Sequence, residues 1–145
     1  MIGYRKALLV LLALVISVGT ANAQRRPKDK ILDRNVFIVR MELQSKKKKN
    51  EEGVFDDEIS FRSGKMGSIQ MMRKLSFQRG EYAIYDIERG SPHSIIKFNG
   101  INRNEKGFSL KWKGEVIGRK IEGTAIVSKN GKIKKEYTFS GEQEE

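Results

Sequence analysis

The chain has 145 residues, no cysteine and one histidine, and its formal net charge is +11 at pH 7. The lack of cysteine excludes disulfides, thiol nucleophiles and thiolate metal sites, and a single histidine excludes the common histidine-rich metal centres. The chain has only two prolines and little that is typical of a long amphipathic helix, so its periodic segments are mainly strands.

Residues 1–23 have the three parts of a secretory signal peptide. Two basic residues precede an apolar run from Ala7 to Val18, which is too short to span a bilayer comfortably. Residues 21–23, Ala-Asn-Ala, then supply the small side chains of a cleavage site. An uncleaved anchor helix is the alternative interpretation. We expect an exported protein, periplasmic or secreted, with no transmembrane segment after cleavage.

Positive charge is concentrated just after this segment. Residues 24–50 carry ten Lys or Arg against three Asp or Glu, whereas residues 51–145 carry 17 against 15. We expect residues 24–34 to be a polar basic arm, residues 35–141 to be one folded domain and residues 142–145 to be an acidic tail. The chain that follows the signal peptide is long enough for a single core.

The first strand is predicted at residues 36–43, where Phe37, Val39 and Met41 alternate with residues of the opposite face. A charged loop at residues 44–52 follows. Its candidate contacts for an anionic envelope component are Lys46, Lys47, Lys48 and Lys49. A solvated loop is the alternative, since like charges repel and stay hydrated. Nucleic acid is not an expected partner, because no aromatic side chains accompany the lysines.

Four further strands are predicted in the middle of the chain, at residues 58–62, from residue 65 onward, and at residues 82–87 and 95–101. Ser63-Gly64 fits a two-residue hairpin that pairs Phe61 with Met66. The irregular stretch at residues 70–75 is compatible with a short helical turn.

From Phe108 to Val116 an apolar residue or glycine occupies every even position, which is the pattern of a strand with one buried face. Gly118-Arg119 fits a two-residue type II′ turn into the next strand. The register then pairs Leu110 with Val127, Trp112 with Ala125, Gly114 with Gly123 and Val116 with Ile121. The glycine pair leaves interior space beside Trp112, to be filled by the Trp112 ring or by a ligand.

The turn into the last strand has two solutions. Asn130-Gly131 favours a two-residue type I′ turn, but that register directs Lys134 and Glu136 towards the core. A three-residue loop at residues 129–131 pairs Val127 with Ile133 and keeps apolar residues inside, so we predict this loop.

The predicted loop places Lys135 on the inward face. Lys135 then reaches a barrel mouth, pairs with an acidic residue such as Asp86, or marks an error in the register.

About eight antiparallel strands joined by short loops, without a crossover helix, predict an all-β up-and-down barrel, because closure removes exposed strand edges. An open sandwich is the alternative. Eight strands leave an interior that side chains fill, or one that is just wide enough for a small ligand.

Two stretches carry a resemblance to a known group. They are Trp112-x-Gly114-x-Val116-x-Gly118-x-x-Ile121-x-Gly123-Thr124 with Tyr137-Thr138-Phe139-Ser140-Gly141, and Phe55-Asp56-Asp57-Glu58-Ile59-Ser60-Phe61 with Gly64-Lys65. Over residues 54–141 the chain resembles small exported bacterial β-barrel proteins that are similar to the lipocalin and avidin group, the calycins. The resemblance implies a barrel, and it assigns no functional residues to this chain.

Aromatic residues that face a barrel interior are candidates for lining a ligand cavity. The predicted ligand-binding residues are Trp112, Tyr82, Phe98, Tyr137 and Lys135. Simple filling of the core is the alternative role of these rings, because small eight-stranded barrels are often solid.

No motif indicates catalysis, a cofactor or a metal. His93 lies in a turn cluster after Pro92, without a neighbouring group to position it as a general base. The carboxylates of Asp56, Asp57 and Glu58 lack the spaced oxygen ligands of a calcium loop and are more typical of a polar strand entrance.

The sequence therefore predicts an exported, non-catalytic binding protein. It would take a small apolar ligand in the barrel or an anionic envelope partner on its surface. The alternative is a structural or protein-interaction barrel with a solid core and no ligand.

Overall fold

A computed structural model describes residues 30–44 and 53–145 of the chain. Within them, eight antiparallel strands form a closed barrel in which β8 returns to pair with β1. The strands are β1 (Val36–Leu43), β2 (Val54–Arg62), β3 (Lys65–Ser68), β4 (Gly80–Glu88), β5 (Ile95–Arg103), β6 (Phe108–Ile117), β7 (Lys120–Lys129) and β8 (Lys132–Gln143). A short helix, α1 (Ile69–Leu75), lies between β3 and β4. The predicted all-β barrel is confirmed, and the open sandwich is wrong.

The predicted signal peptide lies outside the described residues. In the part of the chain that the structure does describe, no helix is long and apolar enough to cross a membrane.

The inward faces of the strands build one core around aromatic rings. Phe61 is its centre and makes edge-to-face contacts with Phe37, Tyr82 and Phe98, at centroid distances of 6.0, 4.9 and 5.2 Å. Contacts of this kind stabilise by about 0.5–1.5 kcal/mol each beyond the burial of apolar area. Interlocking rings from four strands therefore fill the middle of the barrel.

The β2–β3 hairpin has the predicted register, with Phe61 opposite Met66, although β2 begins at Val54 rather than at residue 58. The predicted helical turn is α1. Its N-cap is Ser68, whose Oγ accepts a hydrogen bond from Met71 N at 3.2 Å. Because β3 has only four residues, α1 continues the wall where that strand ends.

The β6–β7 hairpin also has the predicted register, including Trp112 opposite Ala125 and Gly114 opposite Gly123. Gly118 takes φ +60° in the first position of the two-residue loop, as a type II′ turn requires. Here turn chemistry and the alternation of apolar residues select the same pairing.

The predicted three-residue loop between β7 and β8 is wrong. Asn130 and Gly131 form a two-residue turn with φ values of 53° and 75°, which are type I′ values. A bulge between Val127 and Ser128 then shifts the register, so that Val127 lies opposite Lys135 instead of Ile133. Ile133 is 64% exposed. After the tight turn, the bulge brings the later apolar side chains of β8 back to the inner face of the barrel.

One end of the barrel, the closed end, is covered by the chain that precedes β1. Leu32 is only 1% exposed there and belongs to the core. Two backbone hydrogen bonds hold this segment to β2, Arg34 N to Phe61 O at 2.8 Å and Phe61 N to Asn35 O at 3.1 Å. The end of the predicted polar arm is therefore part of the fold, because Leu32 supplies an apolar anchor.

The chain returns to the closed end at its C-terminus. The last strand, β8, continues to Gln143, two residues into the predicted acidic tail. There Gln143 Nε2 donates to Asn35 Oδ1 at 3.1 Å and Glu144 N donates to Val36 O at 2.8 Å. The opposite end, the open end, carries α1, the β5–β6 loop and the β7–β8 turn.

Candidate functional site

The predicted ligand-binding residue Trp112 lies in the core, 1% exposed. Its Nε1–H donates to Asn102 Oδ1 at 2.7 Å, and Asn102 Nδ2 donates to Met66 O at 3.0 Å. The indole ring packs edge-on against Phe139 at 5.5 Å between centroids. Its polar atom is thus satisfied inside the protein, as buried donors require, and Trp112 offers no free hydrogen bond to a ligand.

The interior space at the glycine pair is occupied by two phenylalanines. A Cβ added to Gly114 would lie 2.8 Å from Phe98 Cζ, and one added to Gly123 would lie 2.8 Å from Phe139 Cζ. Such distances are shorter than any normal carbon–carbon contact. Phe98 and Phe139, rather than Trp112 or a ligand, therefore fill this space.

Tyr82 and Tyr137 contact different parts of the core. Tyr82 is half-buried against Phe61, whereas Tyr137 is 5% exposed and packs edge-on against Phe55 at 5.9 Å. Burial raises the pKa of the Tyr137 hydroxyl. Tyr82 and Trp112 both line a cavity of about 560 Å³, but Phe98, Tyr137 and Lys135 do not, so the structure brings together only two of the five predicted ligand-binding residues.

Lys135 instead lines a cavity of about 340 Å³ at the open end. We call this cavity, with its lining side chains, the mouth site. Its rim carries four lysines and its floor four apolar side chains. The rim residues are Lys74, Lys106, Lys134 and Lys135, and the floor residues are Leu75, Phe77, Phe108 and Val127.

The mouth site is assembled by the end of α1 and the loop that joins β5 to β6. Asn104 ties the two together, because its Nδ2 donates to Leu75 O at 2.9 Å. Its Oδ1 accepts from Lys106 N at 3.1 Å and from Phe108 N at 2.9 Å. Lys74 lies in the last turn of α1, where the helix dipole favours a cation. Asn104 therefore positions both rim and floor.

The rim lysines have no carboxylate partner among the described residues. Within residues 30–44 and 53–145, ion pairs join Arg40 to Glu42, and Lys97 to Asp86 and Glu88. The ammonium of Lys74 lies instead 4.0 Å from the centroid of the Phe55 ring. As far as the described residues go, the rim therefore presents unpaired positive charge above an apolar floor.

Sequence reasoning identified Lys135 and missed the rest of this site. The sequence signal for Lys135 is that it breaks the apolar alternation of the last strand. The other rim lysines, Lys74, Lys106 and Lys134, break no pattern, since they lie in a helix end, a loop and a bulged strand. Proximity at the open end is their only common feature, and no local signal reports it.

The proposed pairing of Asp86 with Lys135 is wrong. Asp86 lies near the end of β4 towards the closed end, and its Oδ2 is 3.8 Å from Lys97 Nζ. Lys135 lies close to the β7–β8 turn at the open end. The two side chains belong to opposite ends of the barrel.

The four predicted anion-binding lysines, Lys46, Lys47, Lys48 and Lys49, lie outside the described residues. The flanking residue Gln44 is at the open end, where its backbone N–H donates to Glu136 O at 2.7 Å.

The other candidate groups have local roles. His93 is exposed, and its ring lies against Gly118. Asp57 is buried and accepts hydrogen bonds from Ser68 Oγ and from Gln70 N at 3.0 Å, so it organises the start of α1. Across the described ranges there is no cluster of three or more histidine, aspartate or glutamate side chains that could hold a metal ion.

No family model, curated protein or solved structure matches this chain. The resemblance to calycin barrels rests on the residues quoted above.

Proposed function

We propose that this chain is an exported, non-catalytic binding protein that takes one anionic amphiphile at the mouth site. The observation that carries the proposal is the combination of a recessed apolar floor and a rim of four lysines that have no carboxylate partner within residues 30–44 and 53–145. A carboxylate or phosphate head group would lie among the lysines, and an alkyl chain would cover the floor.

Charge supports an anionic ligand. A head group 4 Å from one ammonium gains about 1 kcal/mol in bulk water and about 4 kcal/mol at a partly desolvated surface. Four such groups share the rim, and Glu105, the acidic residue of the nearby β5–β6 loop, is exposed and does not line the cavity. The rim therefore attracts anions and repels cations.

The floor supports an apolar chain on that ligand. Phe77 and Val127 belong to the core, while Leu75 and Phe108 are half-buried and face the cavity. A volume of about 340 Å³ is near the lower end of small-molecule sites, which span roughly 300–1,000 Å³. This size suits one alkyl chain with a small head group rather than a whole membrane lipid.

Several features favour the mouth over the interior as the place for the ligand. Phe98 and Phe139 occupy the interior at the glycine pair, and Leu32 packs into the core at the closed end.

The tightly packed core favours a second candidate, a structural or protein-interaction barrel with no ligand. The two candidates differ in the mouth site, since a protein without a ligand has no need of a cationic rim over a recessed apolar floor. Direct binding measurements separate them.

The experiment is calorimetric titration with laurate and with dodecanol, which share an alkyl chain and differ in charge. We expect saturable binding of one laurate, weakened at high salt because exposed charges are screened, and much weaker binding of dodecanol. The double substitution Lys134→Gln and Lys135→Gln should weaken laurate binding about tenfold or more. Lys120→Gln, an exposed lysine at the closed end, is the matched control.

Equal binding of laurate and dodecanol would overturn the role of the rim. Lack of binding to either would leave the ligand-free barrel as the better account. Binding only to anionic vesicles would indicate that the anionic partner is an envelope surface and not a single amphiphile. Lys46 to Lys49 would then be the next residues to substitute.

A further inference from the structure

A second concave site lies on the outer surface of the barrel, away from the mouth site. It has a volume of about 590 Å³ and runs across β6, β7, β8 and β1. We call it the outer groove. Its lining side chains are Arg40, Glu42, Tyr85, Lys113, Glu115, Glu122, Thr124, Thr138, Phe139 and Ser140, and Gly114 and Gly123 complete the lining. The two sites share no residue.

The glycine pair allows the strands to approach closely here. A Cβ on Gly123 would fall 2.1 Å from Lys113 O, and one on Gly114 would fall 2.9 Å from Glu122 O. Glycine in a strand typically marks a sharp bend of a barrel or a close approach of two backbones. The groove therefore follows from the same glycines that admit Phe98 and Phe139 on the inner face.

The floor of the groove brings two carboxylates side by side. Glu115 and Glu122 are direct cross-strand partners, and Ser140 is the partner of Glu122 on the other side. Like charges directly opposite each other destabilise a sheet. On its other side Glu115 faces Lys97, whose ammonium hydrogen-bonds Glu88 Oε1 at 2.7 Å and is also attracted to Glu115, so Lys97 compensates Glu115 only in part. This arrangement favours a ligand that brings hydrogen-bond donors to the carboxylates.

Apart from Phe139 and the Tyr85 ring, the lining of the groove is polar, and its two cations and three glutamates give a formal net charge of −1. Hydroxyl groups come from Thr124, Thr138 and Ser140, and the cations Arg40 and Lys113 stand against three glutamates. The two cations disfavour a cationic ligand, while the glutamates disfavour an anionic one. One wall is the ring of Tyr85, which is 48% exposed.

From these contacts we propose that the outer groove binds a short neutral glycan. Sugar hydroxyls would donate to Glu115 and Glu122 and accept from Arg40 and Lys113, because each hydroxyl is both a donor and an acceptor. The apolar C–H face of a sugar ring would lie against the Tyr85 ring. This site is independent of the amphiphile site at the mouth.

The test is an NMR titration of the amide spectrum with three neutral tetrasaccharides, chitotetraose, cellotetraose and maltotetraose, and with spermidine as a cationic donor. We expect saturable shifts at the amides of Gly114, Gly123 and Thr124 with at least one sugar. Glu122→Gln should weaken that binding about tenfold, the value of a hydrogen bond to a charged group. Tyr85→Ala should weaken it by about the same factor, because the ring that contacts the sugar is lost.

Two variants serve as controls. Ile87→Ala removes another exposed apolar side chain of β4 that does not line the groove, and it should bind the sugar as the parent does. Lys135→Gln should also leave sugar binding unchanged, which separates this site from the mouth.

Three results would overturn the proposal. They are the absence of saturable shifts with all three sugars at about 10 mM, well above the Kd of weak specific sites, sugar-induced shifts that persist in Tyr85→Ala, and saturable shifts with spermidine alone.

Discussion

The ring of Phe98 lies over Gly114 so closely that a Cβ on the glycine would come within 2.8 Å of Phe98 Cζ. This contact fills the interior space that the glycine pair opens. The mouth site and the outer groove are therefore better places for a ligand than the interior. The contact also makes Gly114 a position where a single methyl group has a measurable cost.

Gly114→Ala should destabilise the fold by about 1–3 kcal/mol, the usual cost of overpacking a core. The added methyl group meets both the Phe98 ring and the backbone oxygen of Glu122. The measurement is urea denaturation. Phe98→Leu should reduce the penalty of Gly114→Ala, because the smaller side chain yields part of the space. If the losses in unfolding free energy from the two substitutions were strictly additive, the Phe98 ring would not be what opposes the added methyl group.

Asn102→Ala should also destabilise the protein, by about 1–3 kcal/mol for each partner left unsatisfied. Two groups lose their partners, the Nε1–H of Trp112 and the carbonyl oxygen of Met66. Asn99→Ala, an exposed asparagine of the same strand, is the control and should stay within about 0.5 kcal/mol of the parent.

A double-substitution cycle tests the hydrogen bond itself. Trp112→Phe removes the donor but keeps most of the ring, so the loss on Asn102→Ala should be smaller in that background. An unchanged loss would assign the role of Asn102 to its bond with Met66 O alone.

The stability of the protein should fall as pH rises above about 10, the ordinary pKa of tyrosine. Burial raises the pKa of Tyr137, so the unfolded chain loses this proton at a lower pH than the folded chain does. The stabilisation that the buried, protonated Tyr137 provides is complete below the pKa that this residue has in the unfolded chain. It is lost as pH rises through the pKa that the residue has in the folded chain. Denaturation midpoints from about pH 8 to pH 11 measure it.

Tyr137→Phe should remove this part of the alkaline decline, because phenylalanine has no proton to lose. Tyr85→Phe, at an exposed position, is the matched control. A Tyr137→Phe protein with the full alkaline decline would show that other groups cause it.

Glu122→Gln should stabilise the ligand-free fold by about 0.2–1 kcal/mol, since it removes one of two like charges directly across β6 and β7. The gain should shrink at high salt, because the pair is on the surface. Glu105→Gln, in the exposed β5–β6 loop, serves as the control. A loss of stability in Glu122→Gln would mean that the carboxylate is compensated in the free protein.

Local chemistry made several parts of this fold predictable. The β6–β7 hairpin was predicted pair by pair, because Gly118 selects the turn and the alternating apolar residues select the same register. The turn at Ser63-Gly64 worked in the same way. In these hairpins two independent local signals agree, and each lies within about ten residues of the pairing that it specifies.

Where local signals disagreed, the prediction was wrong. At Asn130-Gly131 the turn residues favoured two residues and the apolar pattern favoured three. The protein keeps the tight turn, and a bulge adds one residue, Lys134, to β8 opposite Val127 and Ser128. This bulge returns Tyr137 and Phe139 to the core but leaves Ile133 exposed. A bulge has no signature of its own in the residues that form it, so alternation alone could not reveal it.

The sequence determined the strands, the registers of the β2–β3 and β6–β7 hairpins and the closure of the sheet, because alternation and turn chemistry act between near neighbours. Tertiary structure decided the sites. Lys74, Lys106 and Lys135 lie far apart in the chain, and Tyr85 reaches the outer groove from a strand that does not border β7. The ring of Phe98 fills the space at Gly114 because the β5–β6 register places these two residues directly opposite each other. The two sites depend on barrel closure and on the space left by other side chains, which no local pattern encodes.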